Sequence, residues 1–229
     1  MTERGTIQLR DVTKSFRAYH SRSLKETLFR LARGLPVSER RPVLKELNLS
    51  VARGERLGIV GKNGAGKSTL FRVISKILEV DSGAVEVGGR ISPLIEITAS
   101  HVPDLTGAEN IRLNAVLLGL SRRQIDERFD AIVEFAGLGD FVDTPTRFYS
   151  SGMQARLGFA VGVHVDADAL LVDEALSVGD VDFQQRCVTK MHQLANAGTT
   201  VVVVSHDEAL VRSFCSRVVV MQDGRVHPA

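Results

Sequence analysis

The sequence contains no tryptophan, two tyrosines and two cysteines, and aromatic residues make up only 5% of it. Cys187 and Cys215 are too far apart for a CxxC pair and sit within apolar patterns, so they read as buried, reduced thiols with no metal or redox role. Long apolar runs are missing too. The longest are short pieces such as Val201 to Val204, far below the roughly 20 residues that a membrane span needs. No N-terminal stretch joins a basic start, an apolar segment and a small-residue cleavage site, so the chain is expected to stay in the cytoplasm. Charge of one sign is also scarce. The 29 Lys and Arg against 27 Asp and Glu leave a formal net charge of +2. That overall balance gives no reason to expect nucleic acid as a partner.

What is present suits one compact soluble unit with sub-lobes: 229 residues, 44% hydrophobic and 24% charged, without internal repeats or low-complexity tracts. Ile7 to Val12 and Leu47 to Val51 alternate apolar and polar residues, as half-buried antiparallel strands do. Arg56 to Val60 is more continuously apolar. After a Gly-rich turn, Leu70, Val73, Ile74, Ile77 and Leu78 follow at helical spacing, giving strand, loop, helix. From about 105 to 165 the pattern is helical, with a possible capping box at Ser121 and Gln124 ahead of Ile125, Phe129, Ile132 and Val133. Two apolar, β-rich runs, Ala169 to Val172 and Thr200 to Val204, flank a helix-length segment, as in a parallel sheet with crossovers. A last run, Arg217 to Met221, ends at Asp223-Gly224.

Gly61-Lys62-Asn63-Gly64-Ala65-Gly66-Lys67-Ser68, followed by Thr69, fits the P-loop pattern in the context its mechanism requires, a buried strand before it and a helix after it. The glycines let successive backbone N–H groups turn inward around phosphate oxygens. The helix N-terminus adds partial positive charge, Lys67 can reach the β- and γ-phosphates, and the Ser68 hydroxyl can ligate magnesium. Farther along, Leu170-Leu171-Val172-Asp173-Glu174 puts adjacent carboxylates at the end of an apolar strand. Ligands of parallel sheets bind beyond the strands' carboxyl ends, so Asp173 is expected near Ser68, holding magnesium through water. Glu174 is left to orient and deprotonate the attacking water. The bland alternative for such a pair is a solvated strand end.

A P-loop and an acidic strand end fix nucleotide chemistry without choosing the reaction. The choice comes from Tyr149-Ser150-Ser151-Gly152-Met153-Gln154-Ala155-Arg156, which resembles the LSGGQ signature of ABC proteins with its following arginine. Tyr149, Ser151 and Met153 replace three of the usual letters. It is a small-residue helix start whose Ser150 hydroxyl and Gly152 amide suit an anion. Ser177-Val178-Gly179-Asp180 resembles the family's D-loop and Val204-Ser205-His206-Asp207 its H-loop. The order and spacing agree from about Ile7 to Gly224.

The resemblance implies a P-loop NTPase (RecA-like) ABC cassette of α/β class. Its nucleotide-binding lobe, with an antiparallel β portion, is expected at about 1–95 and 166–229, and its helical signature lobe at about 96–165. It implies ATP hydrolysis with Mg²⁺. His206 contacts the γ-phosphate, Asp180 and the signature residues complete the site of a second copy, and Phe16 or alternatively Tyr19 stacks on adenine. Most relatives have glutamine in the loop joining the lobes, where the nearest residue here is Glu96, the implied metal contact. Separate transmembrane permease subunits, two copies, are the implied partners at the cytoplasmic face of the membrane.

Within the family the sequence is most similar to ATPase subunits that export lipid-linked polysaccharides. The similarity rests on the Tyr-Ser-Ser-Gly-Met signature, on Pro103-Asp104-Leu105-Thr106-Gly107-Ala108-Glu109-Asn110-Ile111, and on the run from Val172 to Gln184. The carbohydrate-binding C-terminal domain of some relatives is expected to be missing. Another cargo, lipid or drug, is the alternative, and a soluble ABC ATPase a more distant one. Between Lys14 and Lys45 nine Lys or Arg stand against two Glu, with Leu24, Leu28, Leu31 and Leu35 at helical spacing. This resembles an insertion of the polysaccharide exporters, read as a basic amphipathic helix lying on anionic headgroups or, alternatively, packed on its own domain.

Overall fold

A computed structural model of the chain describes residues 3–19, 32–33, 38–94, 101–173, 179–205 and 208–229. Glu96, Glu174, Ser177, Val178 and His206, and the leucines at 24, 28, 31 and 35, lie outside the described residues.

Two sheets carry the chain's ends. In the first, β1 (Ile7–Tyr19) lies between β2 (Ser38–Val51) and β4 (Ser82–Val87), all antiparallel. The alternation read from the sequence is the one observed: Ile7, Leu9, Val12, Leu47, Leu49 and Val51 face a common core. The ladder is interrupted beyond Leu9, where Asp11 takes a positive φ of 50°. Asn48 closes this bulge, accepting from the Asp11 N–H at 3.0 Å and donating to the Asp11 carboxylate at 2.8 Å. Asp and Asn tolerate such backbone because their short polar side chains bond locally. The two flanks of the basic segment continue β1 and β2 as a paired ladder from Lys14↔Leu44 to Tyr19↔Ser38, while the leucines read at helical spacing lie outside the described residues.

The second sheet runs in the order β5 (Ile91–Pro93), β6 (Ala169–Asp173), β7 (Thr200–Val204), β3 (Arg56–Val60), β8 (Arg217–Gln222), β9 (Arg225–Pro228). All neighbours are parallel except β8 and β9. Strands buried on both faces read as unbroken apolar runs, as in β7, where every residue is buried. The strands β4, β5 and β9 were not read from the sequence: β5 and β9, of three and four residues, carry too little period to register, and the six residues of β4 are mostly exposed.

Helix α1 (Lys67–Ile74) fills the space between the two sheets with Leu70, Phe71, Val73 and Ile74. The opposite face of the parallel sheet is covered by α5 (Val181–Asn196) and α6 (Glu208–Phe214). The helical lobe comprises α2 (Gly107–Leu117), α3 (Arg122–Ala136) and α4 (Ser151–Val163), packed around Ile111, Ile125, Ile132 and Leu157. The expected capping box at Ser121 and Gln124 is formed, and a second joins Thr106 to Glu109. The backbone and side-chain donors of Thr106 hold the Glu109 carboxyl below its usual range.

Helix α4 joins the lobes. Leu157, Ala160 and Val161 belong to the helical core, whereas Phe159 and Val163 pack with β6, β7 and α5. A helix apolar on all sides is one buried on all sides, and Leu157 through Val163 are all buried. Phe159 stacks on Phe135 of α3 with centroids 6.2 Å apart and meets Phe183 of α5 edge-on at 6.0 Å. Ser92 of β5 donates to the Gly162 carbonyl at 3.0 Å. Cys187 is buried; Cys215 is only partly so, less than its pattern suggested. Burial pushes both thiols up to about 12, with nearby arginines opposing, so both stay protonated and inert at neutral pH.

Truncating the fully buried Leu157 tests this division: Leu157→Ala should cost about 2–5 kcal/mol of unfolding free energy in urea. Ser121→Ala removes only a cap and should cost about 1 kcal/mol.

Candidate nucleotide site

The site grows from the carboxyl edge of the parallel sheet. Ile59 of β3 is level with Val204 of β7, and Val204 with Asp173 of β6. The P-loop, which leaves β3 after Val60, therefore emerges from the same edge on which Asp173 ends β6 and Ser205 follows β7. This is where ligands of parallel sheets bind.

Gly61 crosses directly over β8. A Cβ there would stand 2.2 Å from the Met221 carbonyl oxygen, so only glycine allows the loop to leave at this angle. Gly66, left-handed at φ 107°, then turns the chain into α1. It offers no side-chain cap and α1 has no acidic residue in its first turn. The helices α2, α3, α4 and α5 instead start on Thr106, Ser121, Ser150 and Asp180, each accepting from a first-turn amide. The first intrahelical bond into α1 runs from the Leu70 N–H to the Gly66 carbonyl. Lys67, Ser68 and Thr69 thus present amides that neither the helix nor a cap satisfies, at the positive end of the helix dipole. That arrangement accepts an anion.

Lys67 is only 6% exposed. Its Nζ donates to the Gly61 carbonyl at 2.7 Å and the Lys62 carbonyl at 3.1 Å. An ammonium has three donors, so the loop's own carbonyls hold the charge inside its mouth with one donor to spare for a phosphate oxygen. Ser68 lies exposed in the first turn of α1. With Asp173, half-buried at the end of β6, it supplies a hydroxyl and a carboxylate, hard oxygen donors of the kind Mg²⁺ prefers. Among the described residues no group of three His, Cys, Asp or Glu forms a metal cluster. A cleft of about 640 Å³ opens beside the loop, lined by residues 61–65 with Ser205, Glu208, Arg212 and Asp223.

The antiparallel sheet reaches the same place. The Val43 carbonyl lies 3.0 Å from where a Gly66 Cβ would be, and the Lys45 N–H donates to the Gly224 carbonyl at 2.9 Å. Phe16, paired with Arg41 two residues before Val43, is 43% exposed, with the Lys14 ammonium 5.9 Å from its ring centre. An exposed aromatic on the strand pair that touches the loop is available for stacking. Of the Tyr19 side chain nothing is described.

The signature lies elsewhere. Ser150 caps α4, accepting from the Met153 N–H at 3.2 Å, with Ser151 and Gly152 in the first turn. None of them lines the cleft beside the P-loop. They stand about 20 Å along the helix axis from Val163, the end of α4 that meets the sheet. Tyr149 is buried, and its hydroxyl donates to the Phe141 carbonyl at 2.6 Å. Burial, with Asp143 adding to it, pushes its pKa above the usual phenol value. Asp180 accepts from the Phe183 N–H at 2.8 Å and pairs at 3.7 Å with Arg156. This link between the signature helix and the residue before α5 was not read from the sequence, where the two lie 24 positions apart without a shared pattern.

An uncapped helix start beneath a Gly-rich loop, a buried lysine folded onto that loop and a carboxylate on the same sheet edge define a P-loop nucleotide-binding cassette. Residues 44–177 match the family model described as ABC transporter. The O-antigen export system ATP-binding protein RfbB of Klebsiella pneumoniae is 38% identical over 224 residues, covering 96% of this chain and 91% of that one. The teichoic acids export ATP-binding protein TagH of Levilactobacillus brevis is 44% identical over 216 residues, covering 93% and 58%. The chain thus spans most of the first relative but little more than half of the second. Among solved structures, a dimeric post-hydrolysis state of the ATP-binding cassette MJ0796 bound to ADP and Pi superposes with TM-score 0.79 at 23% identity, covering 96% of both chains. The chain belongs to the ABC transporter family, and it is an ATP-hydrolysing cassette of that family.

Gly61→Ala tests the loop. The methyl group must displace the Met221 carbonyl or the loop, at about 1–3 kcal/mol, so affinity for ATP by calorimetry should fall about tenfold or more. Gly139→Ala, whose Cβ meets nothing within 4 Å, should leave affinity unchanged.

Proposed function

We propose that this chain powers export of a lipid-linked polysaccharide across the cytoplasmic membrane. Two copies bind ATP between the P-loop of one and the signature of the other. The observation that carries the nucleotide chemistry is the uncapped start of α1 beneath Lys67. The signature stands on the other lobe, away from the cleft, which favours its acting on a second copy's nucleotide. Closure on ATP and opening after hydrolysis then drive two permease subunits through their cycle. The cargo reading is supported by the similarity to O-antigen and teichoic acid export ATP-binding proteins.

In this reading residues 61–69 cradle the phosphates, Phe16 stacks on adenine, and Ser150, Ser151, Gly152 and Asp180 complete the partner's site. Ser68, Asp173 and Glu96 hold Mg²⁺, which when bound neutralises phosphate charge. Glu174 deprotonates the attacking water and His206 holds the γ-phosphate in line. The chain works at the cytoplasmic face as a peripheral subunit; no described helix is long and apolar enough to cross a membrane. The basic segment between β1 and β2 faces anionic headgroups or the lipid carrier's phosphates. In its support, Arg17 and Arg40 stand directly opposite each other on β1 and β2, a like-charge pairing that an anionic neighbour relieves.

Glu174→Gln keeps the side chain's shape but cannot accept the water's proton. It should bind ATP normally, lose nearly all turnover in the complex with the permease, and accumulate as an ATP-bound dimer. Unchanged turnover removes Glu174 from the mechanism. For the cargo, deleting the gene in cells with no redundant exporter should accumulate lipid-linked glycan inside and deplete surface polysaccharide. Normal surface glycan with no internal build-up rejects the assignment.

A further inference from the structure

The signature does not stand on α4 alone. The segment 102–110, which leads into α2, is laced to the segment 141–149, which leads into the signature. Four backbone bonds run between them: Arg147 N–H to Pro103, Thr146 N–H to Leu105, Gly107 N–H to Thr144 and Ala108 N–H to Val142, at 2.8–3.2 Å. The Arg147 guanidinium pairs with Asp104 at 2.6 Å. At the centre is Asn110, fully buried. Its Oδ1 accepts from the Val102 N–H at 2.8 Å. Its Nδ2 lies 3.0–3.2 Å from the carbonyls of Val102, Leu105 and Thr106 and from the Thr146 hydroxyl. Thr146, also fully buried, donates its hydroxyl to the Val102 carbonyl at 3.1 Å.

The other side of Thr146 faces the signature. Its carbonyl accepts from the Tyr149 N–H at 3.0 Å and from Gln154 Nε2 at 3.1 Å, the latter from the second turn of α4. Asn110 therefore fixes Thr146, and Thr146 fixes the residues on both sides of Ser150.

We propose that Asn110 and Thr146 are positioning residues for hydrolysis: they weld the segment 102–106 to the signature, so that the Ser150 hydroxyl is presented in one fixed place and moves as one body with the chain that enters the helical lobe. This rests on the reading that the signature acts on a nucleotide. Neither residue lies at the P-loop, so their loss should affect turnover and spare nucleotide binding. A shift of about 1 Å in a positioned group is enough to cost one or two orders of magnitude in rate.

The test uses the full chain purified with its membrane subunit, with MgATP as substrate. Asn110→Ala should lower kcat about tenfold or more while KM for ATP and the affinity for a fluorescent ATP analogue stay within about twofold. Thr146→Val keeps the shape, loses only the hydroxyl, and should lower kcat in the same direction by about threefold. Turnover within about twofold of wild type for Asn110→Ala, or nucleotide binding lost in parallel with turnover, overturns the proposal. If Asn110→Ala does not fold, Thr146→Val decides it by the same split, an unchanged kcat rejecting it. Ser150→Arg is measured alongside. If that variant keeps full turnover, the reading of the signature itself fails; if it is inactive while the two positioning variants are normal, only the present proposal does.

Discussion

The constraint on which the site depends is the contact between Gly61 and the carbonyl of Met221. Val60 and Val220 are level in neighbouring parallel strands, so a loop leaving β3 toward the nucleotide must pass over the next residue of β8. With a side chain at position 61 it would meet that carbonyl at 2.2 Å. Because it can pass, the loop lies low across the sheet edge, α1 begins inside the space between the two sheets, and the Lys67 ammonium comes within 2.7 Å of the Gly61 carbonyl. A higher path would lift α1 out of the core that Leu70, Phe71 and Ile74 now share with β1 and β2. Folding of the core and construction of the anion site are thus one requirement. The amides at the start of α1 have neither a helical nor a side-chain partner, so water or a bound anion takes that place.

The second lobe is held to the first by burial. Helix α4 contributes side chains to two cores, and the Phe135, Phe159 and Phe183 rings bring α3, α4 and α5 together. Its far end carries Ser150, about 20 Å away by helical rise. The helix is thus held at both ends, by the two cores around Leu157 to Val163 and by the Thr146 carbonyl at the signature end. Arg156, within α4, adds a polar tie at 3.7 Å to Asp180, so the signature helix and the residue before α5 share one ion pair.

Much of this was legible because the periods were strong. The continuous apolar runs of β6 and β7 announced buried parallel strands, and the P-loop's context of strand and helix followed from adjacent residues. The Ser121 and Gln124 capping box is local chemistry, fixed by three residues of spacing, and appears as read. The extension of β1 and β2 into the basic segment was not legible. Lys14 to Tyr19 carries cationic residues on a ladder, and its pairing with Ser38 to Leu44 is decided by a partner some 20 to 30 positions away. The Asn110 network was equally hidden, because a buried amide bonding carbonyls 4 to 8 residues before it and a hydroxyl 36 residues after it has no period.

The unusual letters of the signature then acquire a physical reason. Tyr149 fills a position where the resembled motif has leucine, and its hydroxyl must find an acceptor once buried. It finds the Phe141 carbonyl, but only by passing Gly107, where a Cβ would stand 2.2 Å from the tyrosine oxygen. An alanine at 107 would expel the ring or break its hydrogen bond. The Thr106-Gly107 stretch and the Tyr149 signature, which entered separately as sequence resemblances, are therefore two halves of one contact. Thr106 caps α2 so that Gly107 begins the helix beneath the ring, and the ring in turn holds the loop of Phe141 against the residue that precedes Ser150. A change at either position alone leaves a buried hydroxyl unpaired or a cavity, each destabilising by about 1–3 kcal/mol or more. Substituting both together is the lower-cost path, which accounts for why the two features belong together in one chain.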